Sequence, residues 1–158
     1  GFEANGGVLL GSPATLAGRP VAALPTRDAV LPIVAVLWTA RAAGQKLSSL
    51  QAAFGFGAAA SDRLKGIGAD RSGPFLARLR DDADFRRDFC ADALDVAQVD
   101  LTDGVRMSSP QGRVLHYRAS GNAPELRCYV EAASEADAGA LLAAGLAKAS
   151  DYLETQGK

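Results

Sequence analysis

The sequence has few of the residues that mark several common protein classes. It contains two cysteines, Cys90 and Cys128, and one histidine in 158 residues, so neither a disulfide framework nor a zinc-binding cluster is indicated. With 17 basic and 18 acidic residues the formal net charge is −1, which excludes the positive excess typical of proteins that bind nucleic acid or anionic membranes. The longest apolar run, 29–40, is too short to span a bilayer and contains Pro32.

These absences leave a globular protein of ordinary composition. Hydrophobic residues make up 48% of the chain, which is enough for a sizeable core. The two cysteines could pair, but we expect them to be partly buried thiols in a reducing cytosol. No secretory signal opens the chain, and a cytoplasmic location is therefore expected.

The first part of the chain predicts one short strand and two helices. Val8–Leu10 is an apolar run typical of a strand, and the segment 11–27 is rich in turn residues. Residues 28–43 predict a helix that Thr26 or Asp28 could cap. A second helix is predicted over 47–54, and the Gly-Phe-Gly-Ala-Ala-Ala segment that follows (55–60) indicates a hinge.

The second part predicts an antiparallel sheet flanked by helices, which is an α+β fold. Short strands alternate with tight turns such as Thr102-Asp103-Gly104, and Ser134 with Asp137 resembles a capping box before a last helix. The predicted helices are 72–79, 84–89 and 135–153, and the four predicted strands are 96–101, 105–108, 114–117 and 126–132.

One segment between two predicted strands has the composition of an anion site. In the run 117–127, Arg118 enters a glycine-bearing loop and Arg127 follows it. Ser120 offers a hydroxyl, and the backbone of 121–123 can turn its N–H groups inward, so the loop suits a phosphate group. The alternative is a hairpin turn with surface arginines, and the residues alone leave both interpretations open.

This segment resembles the C-terminal phosphate-binding loop of the α-D-phosphohexomutase superfamily, which reads Arg-x-Ser-Gly-Thr-Glu-Pro-x-x-Arg. Asn122 and Ala123 depart from the usual Thr-Glu pair. The positions that match in type and spacing are Arg118, Ser120, Gly121, Pro124 and Arg127. The resemblance implies that the substrate phosphate is bound by Arg118, Ser120, Gly121, Asn122, Ala123 and Arg127.

The opening residues 1–7, Gly-Phe-Glu-Ala-Asn-Gly-Gly, resemble the sugar-binding loop of the same family, Gly-Glu-x-Ser-Gly-His. Glu3 and Asn5 stand where that loop contacts two sugar hydroxyls, and a carboxylate with an amide supplies both acceptors and donors. This form looks like the phosphomannomutase branch. Taken alone, the segment also fits a frayed terminal loop.

The resemblance implies the last third of a four-domain mutase. Residues 1–55 would be the helical end of domain three, an α/β domain, and 56–158 would be domain four, with a four-stranded, TATA-binding-protein-like sheet. The family's phosphoserine loop and its Asp-x-Asp-x-Asp-Arg-like magnesium loop do not occur in the sequence. Because the chain also begins at Gly1, we expect a fragment that positions substrate and has no catalytic residues.

The implied cofactors, Mg²⁺ and a hexose 1,6-bisphosphate activator, would act with the full-length enzyme, and none is expected in this fragment. The implied partners are a phosphosugar and the missing N-terminal domains, with no nucleic acid or membrane. Two alternatives stay open: a mutase that acts on glucose or glucosamine phosphates, and a stand-alone phosphosugar-binding or regulatory module.

Other motifs carry less weight. The pattern Gly55-x-Gly57-x-x-Ala60 fits a dinucleotide-binding loop only formally, because no strand precedes it. His116 lies on a predicted strand and is expected to be structural. The aspartates at 81, 82 and 84 lie among arginines and indicate a solvated charged surface.

Overall fold

The computed structural model describes residues 1–2, 6–16 and 18–156, except for the side chains of Gln51 and Gln156. The chain divides into two compact units, Gly1–Phe56 and Gly57–Lys158. Each unit has its own secondary structure, and each is described by itself.

The first unit combines short strand pairs with two helices. Strand β1 pairs with β4 and β2 with β3, both antiparallel. The elements are β1 (Val8–Leu10), β2 (Ala14–Leu16), β3 (Arg19–Val21), β4 (Leu24–Asp28), α1 (Val30–Ala42) and α2 (Leu47–Ala53). The predicted strand β1 and both helices are confirmed.

The turn-rich segment 11–27 was incompletely predicted, because it holds β2 and β3 and most of β4. Of the two predicted capping residues, Thr26 and Asp28, it is Asp28 that contacts the start of helix α1: its Oδ1 accepts hydrogen bonds from the backbone N–H of Val30 (2.6 Å) and Leu31 (3.1 Å). Pro32 then lies in the first turn of the helix, where its missing N–H would have no intrahelical partner.

The second unit is built on one antiparallel sheet of strand order β5-β9-β8-β7-β6. Its last helix begins as predicted, because the Ser134 Oγ accepts a hydrogen bond from the Asp137 backbone N–H at 3.2 Å. The elements are β5 (Ala58–Lys65), α3 (Ala69–Asp81), α4 (Ala83–Cys90), β6 (Gln98–Asp100), β7 (Val105–Ser108), β8 (Val114–Ala119), β9 (Glu125–Ala132) and α5 (Glu135–Gln156).

The sheet has five strands and not the four expected, so the four-stranded, TATA-binding-protein-like description is not confirmed. The additional strand is β5, which begins inside the predicted hinge 55–60. Its sequence Ala-Ala-Ala-Ser-Asp-Arg-Leu-Lys has no β-branched residue and gives no strand signal. Strand β5 nevertheless pairs with β9 along all eight of its residues, from Ala58↔Ala132 to Lys65↔Glu125.

The helices cover one face of this sheet and leave the other open. Along β9 the side chains alternate, with Leu126, Cys128 and Val130 buried and the residues between them partly exposed. Helix α5 contacts β5, β8 and β9, while α3 contacts β7 and β8. The core therefore lies between the sheet and its helices, and the partly exposed side chains of β8 and β9 form the opposite, open face of this unit's sheet.

The core contains one buried hydrogen bond between the sheet and helix α5, and it contains both cysteine thiols. The Tyr117 hydroxyl donates to the Gly145 carbonyl of α5 at 2.7 Å. Both Cys90 and Cys128 are buried and unpaired, and burial raises the pKa of Cys90 to about 11 and that of Cys128 to about 12. The two thiols thus stay protonated at neutral pH and are poor nucleophiles.

Among the described residues, no helix is long and apolar enough to cross a membrane.

Candidate functional site

The loop between β8 and β9 joins two interior strands of the five-stranded sheet. Strand β8 ends at Ala119 and β9 begins at Glu125. The loop is closed by backbone hydrogen bonds from Ser120 N to Glu125 O (3.0 Å) and from Glu125 N to Ala123 O (2.8 Å). Ile67 N donates to Pro124 O at 3.0 Å, which attaches the loop to the segment after β5.

Several backbone donors of this loop are available to a ligand. The N–H groups of Gly121 and Ala123 have no partner within the described part of the chain, and Asn122 N makes only a long contact of 3.4 Å with Ser120 Oγ. Gly121 and Asn122 are exposed. Unpaired N–H groups close together in a short loop are donors that an anion can use.

Arg118 lies on β8 just before the loop and is held by the Asp-Gly turn. Its Nη1 donates to the Asp103 Oδ2 at 2.5 Å, and its guanidinium lies 5.9 Å from the centre of the Tyr129 ring. This hydrogen bond raises the pKa of the Arg118 guanidinium above its ordinary value. The Nε of Arg118 is buried and has no hydrogen-bond partner among the described residues. An unpaired buried donor costs about 1–3 kcal/mol, so this one favours the arrival of an acceptor.

Arg127 lies beside Arg118, because the two residues are directly opposite each other in the β8–β9 register. Its Nε lies 3.8 Å from the Glu125 Oε2, and the other carboxylate oxygen of Glu125 lies 3.2 Å from the Nε of Arg63 on β5. The structure thus brings Arg118 and Arg127 together beside the loop.

The other predicted site residues are placed differently. Glu3 and Asn5 lie outside the described residues, so the sugar-binding loop stays a prediction. His116 lies on the open face with its Nε2 2.5 Å from the Asp103 carbonyl oxygen. Asp81 pairs with Arg80 at 2.8 Å, and Asp82 caps α4 through the Phe85 N–H. No group of three or more His, Cys, Asp or Glu in the described ranges could hold a metal ion.

Three residues near the loop were not predicted as part of the site: Asp103, Glu125 and Arg63. Asp103 was interpreted only as a turn residue, and Glu125 only as a position of the motif. Asp103 becomes the ion-pair partner of Arg118 because β7 pairs with β8. Glu125 lies near Arg127 because the two residues are two positions apart on β9 and share a face. For Arg63 the sequence carried no signal, because strand β5 itself was not predicted.

Comparison with known proteins identifies the domain that carries this loop. Residues 77–149 match the family model described as phosphoglucomutase/phosphomannomutase, C-terminal domain. A phosphomannomutase of Sinorhizobium fredii is 46% identical over 147 residues, which cover 93% of this chain and 31% of that protein. A phosphomannomutase of Salmonella muenchen is 39% identical over 141 residues, which cover 87% of this chain and 29% of that protein.

The chain spans about a third of the length of the curated relatives that it matches. The matched domain, residues 77–149, includes the Asp-Gly turn and the whole loop between β8 and β9. Residues 77–149 therefore belong to the family of phosphoglucomutase/phosphomannomutase C-terminal domains, and the chain as a whole is similar to the C-terminal part of phosphohexomutases.

Proposed function

We propose that this chain is the C-terminal, substrate-binding portion of a phosphomannomutase and that the loop 120–123 binds the phosphate group of a hexose phosphate. The observation that carries the proposal is a set of unpaired donors within a stretch of six residues, 118–123. These donors are the N–H groups of Gly121 and Ala123 and the buried Nε of Arg118.

The chemistry of these groups suits a phosphate dianion. Ser120 supplies a hydroxyl, Asn122 an amide, and Arg118 with Arg127 supplies guanidinium groups whose planar geometry fits anionic oxygens. Each hydrogen bond to a charged group contributes about 1.5–3 kcal/mol. A Cβ added to Gly121 would meet nothing within 4 Å, so the described fold does not itself require glycine there. We attribute the glycine at position 121 to the close approach of a ligand to the backbone.

The proposed reaction of the complete enzyme is the interconversion of hexose 6-phosphate and hexose 1-phosphate, with mannose as the favoured sugar because both relatives are phosphomannomutases. Residues of this chain would hold the phosphate that is not transferred and would orient the sugar. Such positioning contributes to the rate only when the catalytic groups are present, so the fragment alone is proposed to be inactive.

The described residues do not fit a magnesium site, because they include no group of three or more His, Cys, Asp or Glu that could hold the ion. Mg²⁺ and the hexose 1,6-bisphosphate activator enter the proposal only with the rest of the mutase. Glu3 and Asn5 are proposed to contact the sugar hydroxyls. The two unpaired thiols support a cytoplasmic, reducing environment.

We also propose that the remaining mutase domains cover the first unit. Helix α1 leaves half or more of several large apolar side chains exposed, among them Val30 (65%), Ile33 (59%) and Trp38 (51%). A contiguous apolar patch of this kind is typical of an interface.

The test of the phosphate site is a heteronuclear NMR titration of the chain with mannose 1-phosphate. We expect the amide signals of Ser120, Gly121, Asn122 and Ala123 to move with one common midpoint near 1 mM, which corresponds to about −4 kcal/mol. The turn 109–112 serves as an internal control, because it also holds a glycine between two strands of the same sheet.

Mannose without phosphate is the control ligand, and it should leave the four loop amides unchanged. The proposal fails if the largest shifts lie in the 109–112 turn. It also fails if saturating mannose 1-phosphate leaves the loop amides in place.

A further inference from the structure

Arg63 lies in the same row of the sheet as the two arginines of the proposed phosphate site. Arg63 is opposite Arg127 in the β5–β9 register, and Arg127 is opposite Arg118 in the β9–β8 register. Residues directly opposite in antiparallel strands share a face, and their Cβ atoms lie about 4.5–5.5 Å apart. Three guanidinium side chains therefore stand side by side on the open face.

The charges in this row do not balance. Asp103 pairs with Arg118, and the single carboxylate of Glu125 is divided between the Nε of Arg63 (3.2 Å) and the Nε of Arg127 (3.8 Å). The row itself holds three cations and no anion, and like charges directly opposite one another destabilise a sheet. Within the described part of the chain, the guanidinium groups of Arg63 and Arg127 make these ion pairs with Glu125 but no hydrogen bond.

There is room for an anion beside these groups. A depression of about 260 Å³ on the open face is lined by Ser61, Asp62, Arg63, Arg127 and Tyr129. The Arg63 side chain is 48% exposed and that of Arg127 33% exposed. Asp62 is the acidic residue of this lining, and its Oδ1 accepts the backbone N–H of Arg63 at 2.8 Å. Because both side chains are partly exposed, both guanidinium groups can reach an anion bound in the depression.

We propose that Arg63 is a third arginine of the phosphate site and that Glu125 is the counter-ion which Arg63 and Arg127 exchange for the phosphate. This inference rests on the proposed function of the loop 120–123. A phosphate dianion offers more negative charge and more acceptor oxygens than one shared carboxylate, and arginine binds such oxygens in pairs. Strand β5 thereby contributes directly to substrate binding.

The experiment is a calorimetric titration of the whole chain with inorganic phosphate and with mannose 1-phosphate. Replacing Arg63→Gln is expected to weaken both affinities about tenfold, the equivalent of one charge-assisted hydrogen bond. Arg106→Gln is the matched control. Arg106 is a partly exposed arginine on the same face, and it pairs with Glu131 at 3.3 Å. Its replacement should leave both affinities unchanged.

A second measurement distinguishes direct contact between Arg63 and the phosphate from a general effect of its positive charge. The Arg63 Nε–H signal in an NMR titration should move with the same midpoint as the loop amides, and Arg63→Lys should recover only part of the lost affinity. The inference is overturned if Arg63→Gln binds like the wild type while Arg118→Ala loses binding; the proposed function would then survive. If neither variant changes the binding, the proposed function fails as well.

Discussion

Replacing Gly104 with alanine is expected to lower the free energy of unfolding of the second unit by about 3 kcal/mol and to weaken phosphate binding with it. Gly104 has a φ of +82°, a conformation that favours glycine, and an added Cβ would lie 2.3 Å from the Tyr117 carbonyl oxygen and 3.1 Å from the Arg118 Cα. The turn must move to accept a methyl group. That movement displaces Asp103, the partner of Arg118.

Urea unfolding followed by circular dichroism measures this loss. Gly112→Ala is the matched control, because Gly112 also has a positive φ (+79°) but an added Cβ meets nothing within 4 Å. We expect only the conformational cost of about 1 kcal/mol there, with phosphate affinity retained. Equal losses in the two variants would contradict the close packing of Gly104 against β8.

Replacing Phe75 with alanine is expected to cost about 3–5 kcal/mol, the largest effect that a single truncation should have in this unit. Phe75 lies on α3 and is fully buried. Its ring centre is 5.5 Å from that of Phe89, 5.4 Å from that of Tyr117 and 5.3 Å from that of Tyr152. Its removal therefore opens a cavity between the sheet and the helices α3, α4 and α5.

Phe75→Leu is the control, since leucine fills much of the space and should cost less than half as much. Both variants are compared with the wild type by urea unfolding. A loss below about 1 kcal/mol for the alanine variant would mean that the site collapses or is not packed as described.

The strands that carry the candidate site could be predicted because local pattern and tertiary structure agree there. In β9 the apolar residues Leu126, Cys128 and Val130 alternate with Arg127 and Tyr129, which is the period of a strand with one buried face. The Asp103-Gly104 and Gly112 turns require a positive φ, which glycine supplies. The final helix was located by its cap.

Strand β5 could not be predicted because no local property of its residues favours a strand. Three consecutive alanines and the polar Ser-Asp-Arg segment have low strand propensity. The strand forms because each of its eight residues pairs with a residue of β9. The short strands β2 and β3 were not predicted for a similar reason. Gly18 and Pro20 indicate turns, although the segment forms a hairpin of three residue pairs.

The same distinction applies to the candidate site. Its loop residues form one continuous motif, and Arg118 and Arg127 were identified from that motif. Asp103 and Arg63 could not be, because strand register brings Arg118 to Asp103 and Arg127 to Arg63 across long stretches of sequence. Glu125 lies within the motif, two residues before Arg127, but the motif gives it no role. Ion-pair partners that depend on pairing between distant strands are not visible in local composition.

The most direct test of the account is calorimetric titration of the chain with mannose 1-phosphate, comparing the wild type with Arg118→Ala and with Arg106→Ala as control. Circular dichroism would first show that each variant is folded. The account predicts saturable binding that is stronger than that of inorganic phosphate, is lost in Arg118→Ala and is retained in Arg106→Ala. Binding of equal strength in the wild type and Arg118→Ala would contradict it.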